Sequence, residues 1–358
     1  MNTGVSIVIP TWNGLDLLKR FLPSVIAAAS HYRKTTGAPA EIVIVDDAGT
    51  DSTAAWLNDQ GFQETAAESA AIGAASRIGR APSVSTIQAA PAGRLIRNET
   101  NSGFGVSCNR GVAAAEHPLV FLLNNDVEVS IDSIAPLVEN FADETVFAAH
   151  CRVFELEGGR ECGTGKVGGF SRGFIRVHQS YRPMQATAGA PLHSMFAGGG
   201  SAMFDREKFL DIGGFERLLS PFYWEDVELS YRAWKRGFVI LYEPRSIARH
   251  RVSSTIGKIK RGRVRRIEQR NRLFFHWINL HDARLVRSHI RWAIALAVTA
   301  VFRLKPGFLL SCLAAIKLLP RVRKRRAEER LAAVRSDRQV FEVFSALKRR
   351  SDLSVFDD

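Results

Sequence analysis

Residues 41–47 read Glu-Ile-Val-Ile-Val-Asp-Asp, an apolar run that leads directly into two aspartates. Two other segments have the same form: Val5-Ser-Ile-Val-Ile-Pro10 precedes Thr11, Trp12 and Asn13, and Leu119-Val-Phe-Leu-Leu123 precedes Asn124, Asn125 and Asp126. Strands that are apolar at consecutive positions occur in parallel sheets covered by helices on both faces. Helical patterns at residues 15–29 and 54–57 fall between the strands. The alternation predicts an α/β fold with an open, doubly wound, mostly parallel sheet.

In such sheets, ligands bind outside the carboxyl ends of the strands, where the strand order reverses. Polar residues stand at this end of each predicted strand. We therefore expect them to converge on one crevice: they are Asn13, Asp46, Asp47, Asn124 and Asp126.

The composition is that of a globular protein: 46% of the 358 residues are hydrophobic and 24% are charged. This excludes disordered, collagen-like and coiled-coil chains, and the length suggests one large domain with an appendage, or two domains. Four cysteines without a C-x-x-C pair argue against a disulfide framework or a zinc module. The first ten residues lack a basic region, so we expect a first strand rather than an export signal, and a reducing, cytoplasmic location.

Charge is distributed unevenly along the chain. Residues 245–350 contain 28 Lys and Arg against 6 Asp and Glu, whereas residues 1–244 contain 21 against 27. The partner of this basic region is expected to be anionic: lipid headgroups, nucleic acid or a phosphorylated substrate. Residues 61–94, rich in Ala, Ser and Gly, are predicted to form a surface insertion, with a strand resuming at 94–97.

Three segments carry candidate functional groups, each with a structural alternative. The glycine-rich residues 101–111 precede a helix predicted at 112–115, and they either let backbone N–H groups approach an anion or a base, or form a tight connection. The carboxylate of Asp126 is placed to hold Mg²⁺ or Mn²⁺, or to cap the following turn. The small residues 196–204 allow a close approach to a ligand, or a bulge.

Residues 221–232 are the most informative segment. Apolar residues recur there at helical spacing, which puts Glu225 and Asp226 in the first turn of a helix. Acids at that place are stabilised by the helix dipole; alternatively, Asp226 acts as a general base towards a hydroxyl group. Glu228 and Arg232 are predicted to form an i,i+4 pair on the surface.

Taken together, these segments resemble the family 2 glycosyltransferases, which are inverting enzymes with the GT-A fold, and particularly their bacterial rhamnosyltransferase-like branch. The resemblance covers residues 4–280. It rests on the order and spacing of SIVIPTWNG (6–14), EIVIVDDAGTDST (41–53), NETNSGFGVSCNRG (98–111), VFLLNNDVEV (120–129), GGGSAMFDREKFLDIGGF (198–215), YWEDVELSYRAWKRG (223–237) and ARHRVSST (248–255).

The resemblance implies a nucleotide-sugar donor (UDP-, dTDP- or GDP-linked) and a divalent cation, Mg²⁺ or Mn²⁺. It assigns the donor to Pro10, Thr11, Asn13, Asp46, Asp47, Asn101, Gly103, Asn109 and Asn125, with Gly198, Gly199 and Gly200 bordering the sugar and the acceptor. It assigns the metal to Asp126, Asn124 and His250, and the catalytic role to Asp226, as base, with Glu225 beside it. Asn124 stands where many relatives carry Asp, so the site has one negative charge fewer.

The implied reaction expels a nucleoside diphosphate whose charge the metal neutralises. Asp226 would deprotonate the acceptor on the opposite face of the sugar, so the anomeric centre inverts. The acceptor is expected to be a saccharide or a lipid-linked saccharide in bacterial surface polysaccharide synthesis. Residues 1–250 would form the transferase domain, with a nucleotide-sugar half at 1–127 and an acceptor half at 128–250, and residues 251–358 a basic helical extension.

The apolar run at residues 292–302 covers about 16 Å as a helix, against a hydrocarbon core of about 30 Å. Arg303, Lys305 and Pro306 separate it from a second apolar run at 307–320. We expect either two packed helices or, preferably, a helical pair lying in an anionic membrane surface, on the inner face of the cell membrane. Arginines at 263, 266, 270 and 272 are alternatives for contacting a donor or acceptor phosphate.

Two other functions remain open. A catalytically weak, transferase-like scaffold is compatible with Asn124. A nucleic-acid-binding protein would use the basic region, but that region has no readout motif, and its aromatic residues lie in apolar runs rather than among the arginines. Nucleic acid is therefore not expected as a partner.

Overall fold

The computed structural model describes residues 3–65, 92–184, 191–251, 260–302 and 307–357. Most of the insertion predicted at 61–94 lies outside the described residues. The N-terminal elements are β1 (Val5–Thr11), α1 (Leu15–Thr36), β2 (Ala40–Asp46), α2 (Thr53–Asp59), β3 (Gln63–Glu64), β4 (Ala92–Arg97), α3 (Phe104–Ala114), β5 (Leu119–Leu123), β6 (Val127–Val129) and α4 (Ile134–Glu139).

The middle of the chain supplies β7 (Val146–Glu155), β8 (Glu161–Gly163), β9 (Gly165–Ser171), β10 (Phe174–Pro183), β11 (Ser201–Asp205), α5 (Arg206–Asp211), α6 (Glu225–Lys235) and β12 (Val239–His250). The C-terminal part contains α7 (Arg261–Asn279), α8 (Ala283–Phe302), α9 (Gly307–Ile316), α10 (Leu319–Ala332), α11 (Asp337–Lys348) and β13 (Leu353–Asp357).

A ten-stranded sheet forms the centre of the molecule, in the order β3-β4-β2-β1-β5-β11-β7-β12-β6, with β8 beside β7. The strands from β3 to β5 are parallel neighbours, whereas β11 runs antiparallel to both β5 and β7. The predicted mostly parallel sheet is thus confirmed. Because β2 lies on one side of β1 and β5 on the other, the strand order reverses between β1 and β5.

The apolar strands are buried on both faces, as their sequences predict. Alternate residues of β1 enter two different cores: Val8 packs on the side of α3, and Ile7 and Ile9 pack on the side of α1. Gly111 allows the close crossing of α3 over β1, since a Cβ atom there would lie 2.3 Å from Cγ1 of Val8.

Two local predictions are wrong. The helix expected at 112–115 begins at Phe104, so most of the glycine-rich segment is helical. The expected surface pair of Glu228 and Arg232 has no exposed side-chain area. Arg232 Nε donates to both carboxylate oxygens of Glu228 (2.8 and 2.9 Å), and its remaining nitrogens donate to the carbonyl groups of Ile212 and Gly214. Neighbouring segments cover this face of α6. The i,i+4 spacing of two opposite charges does not by itself show whether the pair is exposed or buried.

The C-terminal part is helical, as predicted, and packs against the body. Asp337, at the start of α11, accepts hydrogen bonds from Tyr231 Oη (2.8 Å) and Lys235 Nζ (2.7 Å) of α6. Strand β13 joins β10 and β9 in a second, antiparallel sheet. The division into two domains at residue 250 stays a prediction.

We expect Arg232→Ala to lower the free energy of unfolding by about 3–5 kcal/mol, because it leaves the Glu228 carboxylate buried without its counter-ion. The matched control is Arg338→Ala, which removes another i,i+4 pair (with Glu342, 2.9 Å) whose side chains are 84% and 61% exposed. There the loss should stay below about 1 kcal/mol. Chemical denaturation of both variants measures the difference; equal losses would contradict the buried geometry.

Candidate active site

A cavity of about 340 Å³ opens at the carboxyl end of β5. Its wall combines Asn124, which follows β5, with residues of β6 to β9, the loop before β11, β11, α6 and β12. They include Asn124, His150, Thr164, Lys166, Gly198, Gly199, Gly200, Asp226 and His250. Of the five residues expected to converge at the strand ends, Asn124 lines this cavity, together with the candidate catalytic residue Asp226 and the candidate metal ligand His250. Asn13, Asp46, Asp47 and Asp126 are not part of its wall.

Asp126 and His250 form a close pair beside this cavity. Nε2 of His250 lies 3.1 Å from Oδ1 of Asp126, and the backbone N–H of Arg251 donates to the Asp126 carbonyl group (3.1 Å). The antiparallel pairing of β12 with β6 produces this contact, because it sets His250 opposite Val127. Asp126 is nearly buried, whereas 27% of the His250 side chain is exposed.

The pair fits a divalent cation. Adjacent ligands of an octahedral ion bound at 2.0–2.1 Å stand about 3 Å apart, which is the spacing of these two atoms. Asn124 lines the same cavity as His250. Within the described ranges, no third His, Cys, Asp or Glu joins the pair. Further ligands would thus be the Asn124 amide oxygen, water or the phosphate oxygens of a substrate.

The predicted nucleotide residues organise the loops that follow β1 and β2. The Asp47 carboxylate accepts hydrogen bonds from Asn98 Nδ2 (2.7 Å) and from the backbone N–H groups of Ser102 and Gly103 (2.8 Å each). These hydrogen bonds connect the start of α3 to the end of β2. Asn101 is exposed immediately before these residues.

Asp46 and Asn13 shape the neighbouring loop at residues 48–51. Asp46 accepts from the backbone N–H of Gly49 (2.9 Å), and burial raises the pKa of its carboxyl group. Asn13 Oδ1 accepts from the backbone N–H of Thr50 (2.7 Å).

Asn125 bridges the two strands at which the order reverses, because its Nδ2 donates to Oγ1 of Thr11 (2.8 Å). Pro10 lies beside Thr11 in β1 and is half-buried.

Asn109 does not reach the crevice, contrary to expectation. It is only 2% exposed and lies within α3. Its Nδ2 donates to the Phe215 carbonyl group (2.9 Å), and its Oδ1 accepts from the Phe215 N–H (2.8 Å). Its amide group therefore fixes the Gly-Gly-Phe turn against α3 instead of contacting a ligand.

The two acids at the start of α6 have different surroundings. Asp226 lines the cavity and accepts a hydrogen bond from the backbone N–H of Val227 (2.8 Å). Burial raises the pKa of Asp226, whereas backbone hydrogen bonds and the charge of Lys166 act in the opposite direction. Glu225 is half-buried beside Gly105 of α3, and its Oε2 atom is buried without a hydrogen-bond partner. Burial, and then the charge of Asp226, raise the pKa of Glu225 to about 8.

Helix α7 holds the loop that presents these acids. Tyr223 and Trp224 have left-handed backbone conformations (φ 71° and 74°), which are strained for residues with side chains. Asn271 of α7 compensates by donating to the carbonyl groups of Leu219, Phe222 (2.9 Å) and Tyr223 (3.0 Å).

Two arginines that were alternative phosphate ligands also lie in this region. Arg270 donates to the Ser220 carbonyl group (2.5 Å). The guanidinium carbon of Arg272 lies 4.3 Å from the centre of the Phe174 ring and 5.7 Å from that of Trp224. Both arginines therefore contact the loop or its supporting aromatic residues.

Lys166, His150 and Thr164 also line the cavity, although the sequence did not predict it. Lys166 Nζ donates to Ser180 Oγ (2.8 Å), and His150 Nε2 lies 2.9 Å from Ser194 Oγ. Burial lowers the pKa of His150 to about 4, so its imidazole is neutral at pH 7. No motif surrounds these residues, and only the sheet order brings them to the cavity.

Comparison with known structures establishes the fold. The chain is similar to GalNAc-T7, whose crystal structure contains UDP, GalNAc and Mn²⁺, with 21% identity and a TM-score of 0.57 over 78% of this chain and 48% of GalNAc-T7. It is also similar to S. aureus TarS 1-349 in complex with UDP-GlcNAc, with 14% identity and a TM-score of 0.52 over 97% of this chain and 91% of that one. Both likenesses show the GT-A fold.

Family membership follows from the sequence match that accompanies this fold. Residues 6–62 and 84–213 match the family described as Glycosyl transferase family 2. The match covers more than half of the chain and includes the segments that end in Asp46, Asp47 and Asp126. This protein belongs to glycosyl transferase family 2.

Proposed function

We propose that the protein transfers a sugar from a nucleoside-diphosphate donor to a hydroxyl group of a saccharide, with inversion at the anomeric carbon. The observation that carries the proposal is the placement of the Asp226 carboxylate in the same cavity as Asn124 and His250. A base on one wall and a cation site on another, which would neutralise the leaving diphosphate, can act on the two ends of a displacement reaction. The rhamnosyltransferase-like branch stays a prediction.

Donor binding is supported by the loops after β1 and β2 and by the nucleotides in the two similar structures. Asp126, His250 and Asn124 would hold Mg²⁺ or Mn²⁺. When bound, the cation would supply charge neutralisation at the diphosphate. The donor is a UDP-, dTDP- or GDP-sugar in this proposal.

Asp226 acts as the base because it carries the negative charge of the pair. With a pKa of about 8, Glu225 retains its proton at pH 7, so the two neighbouring carboxyl groups do not both ionise. Asp226 takes the proton of the acceptor hydroxyl group. The acceptor oxygen then bonds to the anomeric carbon as the bond to the diphosphate oxygen breaks, which inverts that carbon.

The acceptor in this proposal is a lipid-linked saccharide, used in the assembly of a bacterial surface polysaccharide. Helices α8 and α9 support it, because they expose large apolar side chains that suit an acceptor embedded in a membrane. A scaffold without strong activity is the second candidate. It is favoured by Asn124, which supplies no negative charge to the cation site.

Asp226→Asn should reduce kcat at least about 100-fold, since a general base contributes 10²–10⁴-fold. Glu225→Gln imitates the protonated acid and should lower kcat less than tenfold. The measurement is release of nucleoside diphosphate from a panel of UDP-, dTDP- and GDP-sugars, with membrane extract as acceptor. Calorimetric binding of the nucleotide to each variant is the control for folding. If Asp226→Asn keeps its activity, Asp226 is not the base; if no donor is bound or consumed, the scaffold is favoured.

Asp126→Ala and His250→Ala should each weaken Mn²⁺ binding at least about 100-fold, because outer-shell substitutions alone cause 10–100-fold losses. Electron paramagnetic resonance of free Mn²⁺ measures this affinity without any turnover. Asp132→Ala removes an exposed carboxylate six residues along the chain and is the control. Unchanged affinity in both test variants would place the cation elsewhere.

The pH dependence of stability tests the protonation of Glu225. Its pKa is raised from about 4.3 when unfolded to about 8 when folded, so its contribution is fully present below pH 4 and is lost as pH rises through 8. The wild type should therefore lose stability relative to Glu225→Gln by up to about 1.4 kcal/mol per pH unit between pH 5 and 8. Urea denaturation across this range measures it. Parallel curves would show that Glu225 is ionised in the folded protein.

A further inference from the structure

Exposed apolar side chains are concentrated on two helices. Ten of the sixteen large hydrophobic residues that are exposed in the described ranges lie within 290–302 of α8 and 307–316 of α9. We name these two stretches the apolar helix pair. Ile294 is 59% exposed, Leu296 is 41% exposed and Phe302 is 84% exposed. Monomeric soluble proteins rarely expose a contiguous surface of this kind.

The apolar helix pair is attached to the body along one edge only. His289, just before it, is buried; its Nδ1 donates to the Gly173 carbonyl group (2.8 Å), and its Nε2 accepts from Trp277 Nε1 (3.2 Å). On α9, Ser311 Oγ donates to the Arg266 carbonyl group (3.2 Å), and Ala315 is buried against α7. Most residues between 290 and 302 of α8 are exposed, and α9 exposes Leu310, Leu313 and Ile316.

Exposed cationic residues border the apolar helix pair. The start of α7 contributes five (Lys260, Arg261, Arg263, Arg265 and Arg266), and α9 contacts this helix at Arg266. The first half of α8 exposes Arg284, Arg287 and Arg291, and α10 exposes three more at 321, 323 and 324. An apolar centre with a cationic border complements the acyl chains and anionic headgroups of a bilayer.

We propose that the apolar helix pair lies in the interfacial plane of a bilayer rich in anionic lipid, on the cytoplasmic side, and anchors the protein there. The inference is independent of the proposed transferase chemistry. A lipid surface, rather than a second copy of the chain, covers the apolar helix pair. The cationic border would repel an identical border on a second copy.

Lying in the plane is favoured over spanning. By length and composition, Ala283–Phe302 could cross a membrane, and 6% of its apolar window is buried. However, its first half carries three exposed arginines, and His289 is hydrogen-bonded to the body. Only residues 292–302 are left to enter the hydrocarbon, and they cover about 16 Å of a core about 30 Å thick.

The test is flotation of the full chain with vesicles of phosphatidylcholine, alone or mixed with phosphatidylglycerol. We expect binding to the mixed vesicles, and a loss of roughly fivefold in affinity for each cationic residue removed from α7, as with Arg263→Gln. Ile294→Gln should weaken binding at least about tenfold. Ile131→Gln is the matched control, because Ile131 is an isoleucine of similar exposure (56%) in the body, and its binding should equal that of the wild type.

Quenching of Trp292 by brominated lipid reports insertion directly, and the quenching should disappear in Trp292→Phe. Circular dichroism and thermal unfolding confirm that each variant is folded. The proposal is overturned if the wild type does not float, if Ile294→Gln binds as well as Ile131→Gln, or if Ile294→Gln only converts a dimer to a monomer. Resistance to extraction by alkaline carbonate would overturn the in-plane arrangement. Because none of these measurements uses a sugar donor, their failure is separate from failure of the transferase proposal.

Discussion

Helix α6 carries the Asp226 carboxylate, and its position depends on a buried ionic and hydrogen-bonded network. Glu228 and Arg232 neutralise each other without exposure to solvent, and Arg232 extends the network to the carbonyl groups of Ile212 and Gly214. Asn279 of α7 donates to the same carboxylate (3.0 Å). Loss of either charged partner would leave a buried unpaired charge, so the network opposes displacement of α6 from the segments that it contacts. The cavity wall that contains Asp226 depends on it.

The loops at this edge of the sheet are held by two kinds of contact. Asp47, at the end of β2, accepts hydrogen bonds from backbone N–H groups at the start of α3. The strained loop before α6 is held by the side chain of Asn271, which belongs to α7. The C-terminal helices thus have two roles: α7 stabilises the loop before α6, whereas α8 and α9 expose apolar surface away from the core.

Predictions from local sequence patterns differ most clearly from the observed contacts at polar residues. Asn109 stands in a glycine-rich motif that predicts ligand contact, yet its amide group is used by the backbone of Phe215. Glu228 and Arg232 have the spacing of a solvated pair, yet they are fully buried. Lys166 lies in no motif, yet it lines the cavity beside Asp226. In each case the deciding neighbours are far away in the chain.

The order of apolar and polar residues was enough to predict the sheet and a crevice at the ends of its strands. It also predicted some of the residues that line this crevice, such as Asn124, Asp226 and His250. Runs of consecutive apolar residues are stable only when both faces of a strand are covered, so β1, β2 and β5 and the polar residues at their ends could be predicted from order alone. Three features depend on tertiary packing instead: which polar groups face the cavity, which form internal hydrogen bonds, and which apolar helices stay uncovered. The physical reason is that burial depends on packing between segments that are remote in sequence. The spacing of apolar residues shows which face of a helix or strand is apolar, but it does not show which segment packs against that face.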